Sequence, residues 1–249
     1  MKKILIQINI LVIIGFVWSL FFGLHIFSPL LLPSPQMIIK AFVNIFLQDH
    51  IYIDLKYSLW RLFAGLSLGT TIGLLLGFLI SLSKKLIELS SFWLDFTRSL
   101  PYVALIPIFM LFFGIGEKSK IFLIAFVCIV ITMLNVIQSL KNINQTRIMM
   151  AKSMGLNQTQ IFLKIILPES LAYLSAGVKH MLSFATIIVI VCEMFMGTEY
   201  GLGKKIINYH LIFSTDYMYA TIILTGVIGY FLNKSYQLFE GHIIHWTGK

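Results

Sequence analysis

One carboxylate stands where a charge is costly. Glu193 lies in an apolar run, between Cys192 and Met194. An ionised side chain inside a membrane segment is expensive unless it has a partner or lines a polar path. Glu193 therefore predicts one of two roles: a place on a pathway through the membrane, or a structural ion pair that fixes two helices.

Three basic side chains are candidate partners for Glu193, namely Arg98, Lys179 and His180. We favour Arg98, because it too lies at an apolar run and a pair would shield both charges from lipid. Pro101 follows closely and favours a kink, as does Pro107, and kinked helices often line pathways. We therefore place Glu193, Arg98 and Pro101 at a translocation pathway or gate.

The sequence shows no arrangement typical of catalysis or metal binding. No Ser/His/Asp or paired-carboxylate arrangement is recognisable in the sequence. His242 and His245 have a spacing that metal ligands use, but no cysteine or second cluster accompanies them. We predict no catalytic residue, no metal site and no cofactor in this chain.

The composition indicates a membrane protein. The 249 residues are 58% hydrophobic and 12% charged, with a mean hydropathy of +0.90, whereas soluble domains are about 45–50% apolar and about 25% charged. The net charge of +9 is spread between the apolar runs and forms no dense patch. It predicts membrane orientation and no binding of nucleic acid.

Six apolar windows approach the length of about 20 residues that a spanning helix needs. They are continuous rather than alternating, which predicts helices at about Ile4–Leu24, Leu62–Leu82, Phe92–Phe113, Ile121–Ile137, Leu182–Met196 and Tyr217–Leu232. The prediction is an all-α bundle of about six transmembrane helices, as one domain over residues 1–249. Met37–Leu47, after the first window, predicts a short helix at the membrane surface or on the rim of the bundle.

The basic residues set the orientation. With Lys2 and Lys3 in the cytoplasm, the inside segments hold eleven basic residues and the outside segments seven, Arg61 among them. Basic loops stay in the cytoplasm. The protein is therefore expected to be multi-pass in the cell (inner) membrane, with both termini cytoplasmic.

Four glycines form a ladder in the second window. Gly65, Gly69, Gly73 and Gly77 are each four residues apart, so they share one helix face. A face without side-chain bulk lets another helix backbone come close. The ladder predicts a tight packing seam, with a sliding surface as the alternative.

The segment of residues 140–168 predicts a rigid cytoplasmic elbow. A helix over Lys141–Met154 would end at Gly155, which suits a positive φ. Asn157 and Gln160 then have the spacing of a capping box, and Pro168 opens the next element.

The elbow resembles the cytoplasmic loop of ABC importer permeases, whose pattern is E-A-A-x3-G-x9-I-x-L-P. Ala151, Gly155, Ile165, Leu167 and Pro168 match without a gap. Met149 and Met150 stand where that pattern has Glu and the first Ala. Further segments resemble the branch that imports nitrate, sulfonates and taurine: Ser58–Arg61, the glycine ladder, Arg98–Pro101, Pro107 with Gly114–Gly116, Glu193–Met194, Gly201–Gly203, and Glu240 with Trp246.

The resemblance implies a type I importer. Two permease subunits, as a homodimer or pseudo-dimer, would form the pathway for a small organic or inorganic anion. Two separate ATPase subunits, which bind ATP and Mg, would dock on the elbow at Ala151, Gly155, Leu156, Ile165, Leu167 and Pro168. An extracytoplasmic binding protein would deliver the solute. This chain should not hydrolyse ATP, since Thr198 and Lys205 stand where a phosphate-binding loop around Gly203-Lys204 needs Gly and Ser or Thr.

Two other classes remain as alternatives. A secondary transporter without an ATPase often shows inverted repeats and several intramembrane ionisable groups, whereas here no repeat is visible and only Glu193 lies deep. A polytopic membrane enzyme would need a cluster of acid/base or metal residues.

Overall fold

The computed structural model describes residues 2–24, 26–28, 30–47 and 50–243, and this part of the chain contains no β-strand. Its helices follow one another with short connections: α1 Lys2–Gly23, α2 Pro35–Leu47, α3 Tyr52–Ser81, α4 Lys84–Ser99, α5 Ile106–Phe113, α6 Glu117–Lys141, α7 Gln145–Ser153, α8 Gln158–Ile161, α9 Leu167–Phe195, α10 Leu202–Leu211 and α11 Thr215–Ile243. The all-α prediction is confirmed.

Among the described residues, three helical segments are each long and apolar enough to cross a membrane. They are α3, α6 and residues Gly177–Phe195 of α9. They match the second, fourth and fifth predicted windows, of which the second and fifth each extend one residue beyond the helix. The first window forms α1, whose apolar stretch of described side chains is Val12–Gly23. The sixth lies within α11.

The third window, in which kinks at Pro101 and Pro107 were predicted, forms two helical segments with a single sharp bend. The chain breaks after Ser99, passes through a 3₁₀ turn at Tyr102–Leu105, and bends by 91° between α4 and the following helical segment. Pro101 lies at the break, because a proline disfavours the helical conformation in the residue before it. Pro107 causes no second kink, because it occupies the first turn of α5, where its missing N–H has no helical acceptor.

The described residues divide into two compact units, Met1–Ser58 with Thr198–Ile228, and Leu59–Gly197 with Gly229–Lys249. In the first unit, the start of α3 caps α10. The backbone N–H of Gly201 donates to the Asp54 carboxylate over 2.7 Å, and that of Leu202 donates to the Ser58 hydroxyl over 3.0 Å. Two otherwise unbonded N–H groups at a helix N-terminus are thereby satisfied.

Helix α2 also belongs to the first unit. It buries Ile38, Ala41 and Ile45, which lie on one face because they are three and four residues apart. Its opposite face, with Ile39 and Val43, is exposed. The helix therefore packs against protein along one stripe, as a helix on the rim of a bundle does.

The second unit is built around α6. Helices α3, α5 and α9 pack on it, and the shared core includes Leu62, Val127, Cys128, Met181 and Ala185. Half of the apolar window of α6 is buried within the protein. This central helix positions the groups described next.

Candidate functional site

A cluster of four charged side chains lies where α3, α6 and α9 meet in the second unit. The Arg61 guanidinium donates one hydrogen bond of 2.6 Å to Glu193. It donates two more, of 2.6 and 2.8 Å, to the carboxylate of Glu117. Lys120 donates to the same Glu117 over 3.1 Å. We call these four residues the charge cluster.

The charge cluster is buried and formally neutral. Arg61 and Lys120 are 1% exposed and Glu193 is 0% exposed, while the Glu117 side chain is about half exposed. Two positive and two negative charges share a region that water reaches only at Glu117. Short, charge-assisted hydrogen bonds are what such burial requires, since removing one partner would leave a charge without compensation.

The favoured partner of Glu193 is therefore wrong. The structure pairs Arg98 with Asp95, three residues earlier on α4, at 3.2 Å and with both side chains more than half exposed. Arg61 is the partner that sequence reasoning missed, because it was counted in an external segment. Lys179 and His180 lie on the same helix as Glu193, α9, and more than three turns before it.

The sequence does carry a signal for Arg61. It stands four residues before Gly65, so it continues the glycine ladder and shares its helix face. Any helix that packs on the ladder must meet Arg61 at that end. That helix is α6, and its first turns carry Glu117 and Lys120.

The glycine ladder lies against α6 along its whole length. A Cβ added at Gly65 would come within 2.5 Å of Ile124, one at Gly73 within 2.7 Å of Thr132, and one at Gly77 within 2.8 Å of Val136. At Gly69 it would collide with the backbone carbonyl oxygen of Ala125. The two helices therefore touch closely at four successive turns, which only a face without Cβ atoms permits.

The sequence predicted that the first helix of the elbow spans Lys141–Met154. Instead α6 ends at Lys141, and α7 starts at Gln145 after the Asn144 side chain caps it by accepting from the backbone N–H of Thr146. Asparagine is a favoured N-cap because its side chain satisfies a free N–H of the first turn. The helix predicted over Lys141–Met154 is therefore shorter and starts four residues later.

The corner of the elbow is a Schellman motif. The N–H of Leu156 donates to the carbonyl of Ala151 over 3.1 Å, and that of Gly155 donates to Lys152 over 3.0 Å. Gly155 has φ of 77°, a conformation that glycine adopts without the cost a Cβ brings. The spacing of Ala151, Gly155 and Leu156 is therefore the spacing of this helix ending.

The second half of the elbow leads into α9. Asn157 and Gln160 form both hydrogen bonds of a capping box, over 2.8 and 3.0 Å. A π-helical turn at Phe162–Ile166 follows and contains Ile165. Leu167 and Pro168 then form the first turn of α9. The elbow is joined to α9 without a loop, and α9 ends two residues after Glu193.

An ion pair also ties the elbow to α9. Arg147 on α7 lies 3.7 Å from Glu169 on α9. Ala151 and Ile161 are buried, which anchors α7 and α8 on the protein. Among the described residues no group of three or more His, Cys, Asp or Glu side chains is placed to hold a metal ion.

Comparison with known proteins places these features in a family. Residues 69–245 match the family described as "Binding-protein-dependent transport system inner membrane component". The match covers the ladder from Gly69 onward, the elbow and Glu193.

The sequence is similar to those of named transport permeases. It is 32% identical over 231 residues to the "Putative aliphatic sulfonates transport permease protein SsuC" of Escherichia coli (strain K12), covering 93% of this chain and 88% of that protein. It is 28% identical over 230 residues to the protein of the same name from Bacillus subtilis (strain 168), covering 92% and 83%. The "Taurine transport system permease protein TauC" of Escherichia coli (strain K12) is 25% identical over 253 residues, covering 100% of this chain and 92% of TauC.

Solved structures share the fold. A chain of the "MetNI methionine ABC transporter", in an inward-facing conformation, matches with a TM-score of 0.61 and 23% identity, covering 81% of this chain and 99% of that one. A chain of an "amino acid ABC transporter with histidines" matches with a TM-score of 0.62 and 15% identity, covering 82% and 97%. Since the family match covers well over half of the sequence, the chain belongs to the binding-protein-dependent transport system inner membrane components, the multi-pass permease subunits of ABC importers.

Proposed function

We propose that this permease subunit couples ATP hydrolysis on separate partner subunits to solute import through the elbow of residues 140–168. The observation that carries the proposal is the corner at Gly155. A Schellman motif followed by a capping box fixes the direction of two short helices with backbone hydrogen bonds. Such a rigid projection can transmit force, because it cannot bend without breaking several bonds together.

The assembly follows the family pattern. Two permease subunits, as a homodimer or pseudo-dimer, form the pathway. Two ATPase subunits bind ATP and Mg and dock on the elbows. An extracytoplasmic binding protein delivers the solute. In this arrangement the subunit lies in the cell (inner) membrane, with both termini cytoplasmic, and the ladder end at Gly77 lies nearer the ATPase than the charge cluster does.

The solute is a small anion of the sulfonate class, such as taurine or an aliphatic sulfonate, or nitrate. The names of the relatives from Escherichia coli and Bacillus subtilis support the sulfonate class. Within this scheme the charge cluster holds α3, α6 and α9 together at the end of the pathway away from the ATPase. Pro101 produces the bend between α4 and α5, and Arg98 pairs with Asp95 at the surface of α4.

Gly155→Val tests the coupling role. Valine resists positive φ, while nothing lies within 4 Å of a Cβ at this position, so the effect comes from the backbone alone. We expect normal membrane insertion together with loss of ATPase association and of solute uptake. Gly155→Asn is the matched control, because asparagine tolerates positive φ better than other residues with a Cβ, and it should retain most of both. Normal uptake by Gly155→Val would refute the coupling role.

A further inference from the structure

The elbow carries charge of one sign only. Residues 140–168 contain four basic residues, Lys141, Arg147, Lys152 and Lys164, and no acidic residue. The position that holds Glu in the pattern this segment resembles is Met149. The surface therefore lacks one negative charge that the pattern would place on it.

Among the residues that the structure describes, only one of the four basic residues has an acidic partner. Arg147 is paired with Glu169. Among the described residues, no carboxylate lies within ion-pair distance of Lys141, Lys152 or Lys164, and all three side chains are exposed. Three positive charges thus remain to attract an anionic surface.

Between these charges lies an exposed apolar patch. Met149, Met150 and Met154 are 60%, 61% and 78% exposed, and Met150 and Met154 are neighbours on one face because they are four residues apart. Ala151, which lies between Met150 and Met154 in sequence, is buried and anchors α7 on the protein. Exposed methionines are costly in water, and their flexible, polarisable side chains suit a protein-binding surface.

We propose that the ATPase partner receives this elbow in a cleft with an apolar floor, filled by the three methionines, and an acidic rim that faces Lys141, Lys152 and Lys164. The inference rests on the proposed coupling function and adds the chemistry of the partner surface. Such a cleft makes the pairing of permease and ATPase selective. An ATPase with a basic residue placed to meet a glutamate at position 149 would find methionine there, with further positive charges nearby.

An anionic membrane surface is the alternative ligand for the basic residues and methionines of the elbow. Helices that lie in lipid headgroups bury aromatic or leucine side chains along a continuous apolar face. Helix α7, of sequence QTRIMMAKS, has no aromatic residue and no leucine. Its two ends are fixed by caps. These features favour a protein partner.

The test measures the affinity between the detergent-purified chain and the separately purified ATPase subunit of the same transport system, at low and high salt. Met149→Glu places an acid on the patch, and we expect it to weaken binding about tenfold or more through repulsion by the acidic rim. Met149→Leu keeps an apolar side chain and should bind like the parent. Gln158→Glu adds the same charge at another exposed elbow position and should change affinity much less.

The salt arm tests the rim. Raising the salt concentration should weaken binding by the parent, and Lys152→Gln with Lys164→Gln should flatten that dependence. If Met149→Glu bound as tightly as the parent, or if binding by the parent were insensitive to salt, the proposed cleft would be wrong. The coupling function would still stand. Absence of any ATPase binding by the parent would overturn the coupling function itself. In nanodiscs, an effect of Met149→Glu that appears only with anionic phosphatidylglycerol present would assign the patch to lipid.

Discussion

The charge cluster and the elbow achieve rigidity in opposite ways. The charge cluster is held by side chains from three helices, up to 132 residues apart in sequence, in a site closed to water except at Glu117. The turns of the elbow are held by hydrogen bonds to backbone groups, between residues at most five apart, on an exposed surface. Contacts between residues distant in sequence therefore decide the first region, and local contacts decide the turns of the second.

This difference separates stability from coupling. A buried ion pair that loses one member leaves an uncompensated charge, so damage to the charge cluster should destabilise the whole bundle. The elbow makes few buried contacts and is exposed at most of its positions. Damage there should leave the bundle folded and affect the partner contact. The predictions below test this separation, from the largest expected loss of stability to the smallest.

Arg61→Leu should have the largest effect. It removes the ion pair between Arg61 and the fully buried Glu193, and a broken buried pair costs about 3–5 kcal/mol of unfolding free energy. The midpoint of thermal unfolding in detergent, followed by size-exclusion chromatography of heated samples, measures the loss. The double variant Arg61→Leu with Glu193→Leu should be more stable than Arg61→Leu alone.

Arg98→Leu is the control for that experiment. Its partner Asp95 is exposed, and exposed pairs contribute about 0–1 kcal/mol. If Arg98→Leu destabilised the protein as much as Arg61→Leu does, the assignment of Arg61 as the partner of Glu193 would be wrong.

Gly69→Ala should have an intermediate effect on stability. The new Cβ would meet the backbone of α6 at Ala125, and overpacking typically costs about 1–3 kcal/mol. Gly226→Ala is the matched helical glycine with nothing within 4 Å of its Cβ. There the change should be neutral or stabilising, because alanine favours the helix by about 0.5–1 kcal/mol. The same thermal assay on both variants should thus show opposite signs, and equal effects would mean that the ladder is not a seam.

Asn157→Ala should have the smallest effect on global stability. It removes the capping box and costs about 0.5–2 kcal/mol locally. Hydrogen–deuterium exchange should rise in α8 and the π-helical turn and stay unchanged in α3 and α6. Thr159→Ala, in the same helix but outside the capping box, is the control. Faster exchange throughout the bundle would show that the elbow and the core are not separate.

Local patterns predicted the elbow well. The ending at Gly155 and the capping box at Asn157 and Gln160 depend on residues at most five apart, so the sequence shows all the participants together. The start of α7 was predicted four residues too early, at Lys141, because the N-cap role of Asn144 was not recognised.

Long-range partners were predicted less well. The ladder predicted a close helix contact, but not which helix supplies it. The partner of Glu193 was misassigned because burial of Arg61 depends on how α3, α6 and α9 meet, and charge alone made it look external. Reading Arg61 as the next step of the ladder would have placed it on the packed face. The bend at Pro101 followed from proline chemistry, but its angle of 91° depends on the surrounding helices.

The most direct test of the account is solute uptake into proteoliposomes that contain this chain with or without its ATPase subunit and binding protein. Taurine, an aliphatic sulfonate and nitrate would be supplied in turn. The account predicts uptake of at least one of these anions that requires ATP, the ATPase and the binding protein, and that an ion gradient alone does not drive. Uptake by this chain alone, driven by a proton or sodium gradient and indifferent to ATP, would contradict it and identify a secondary transporter.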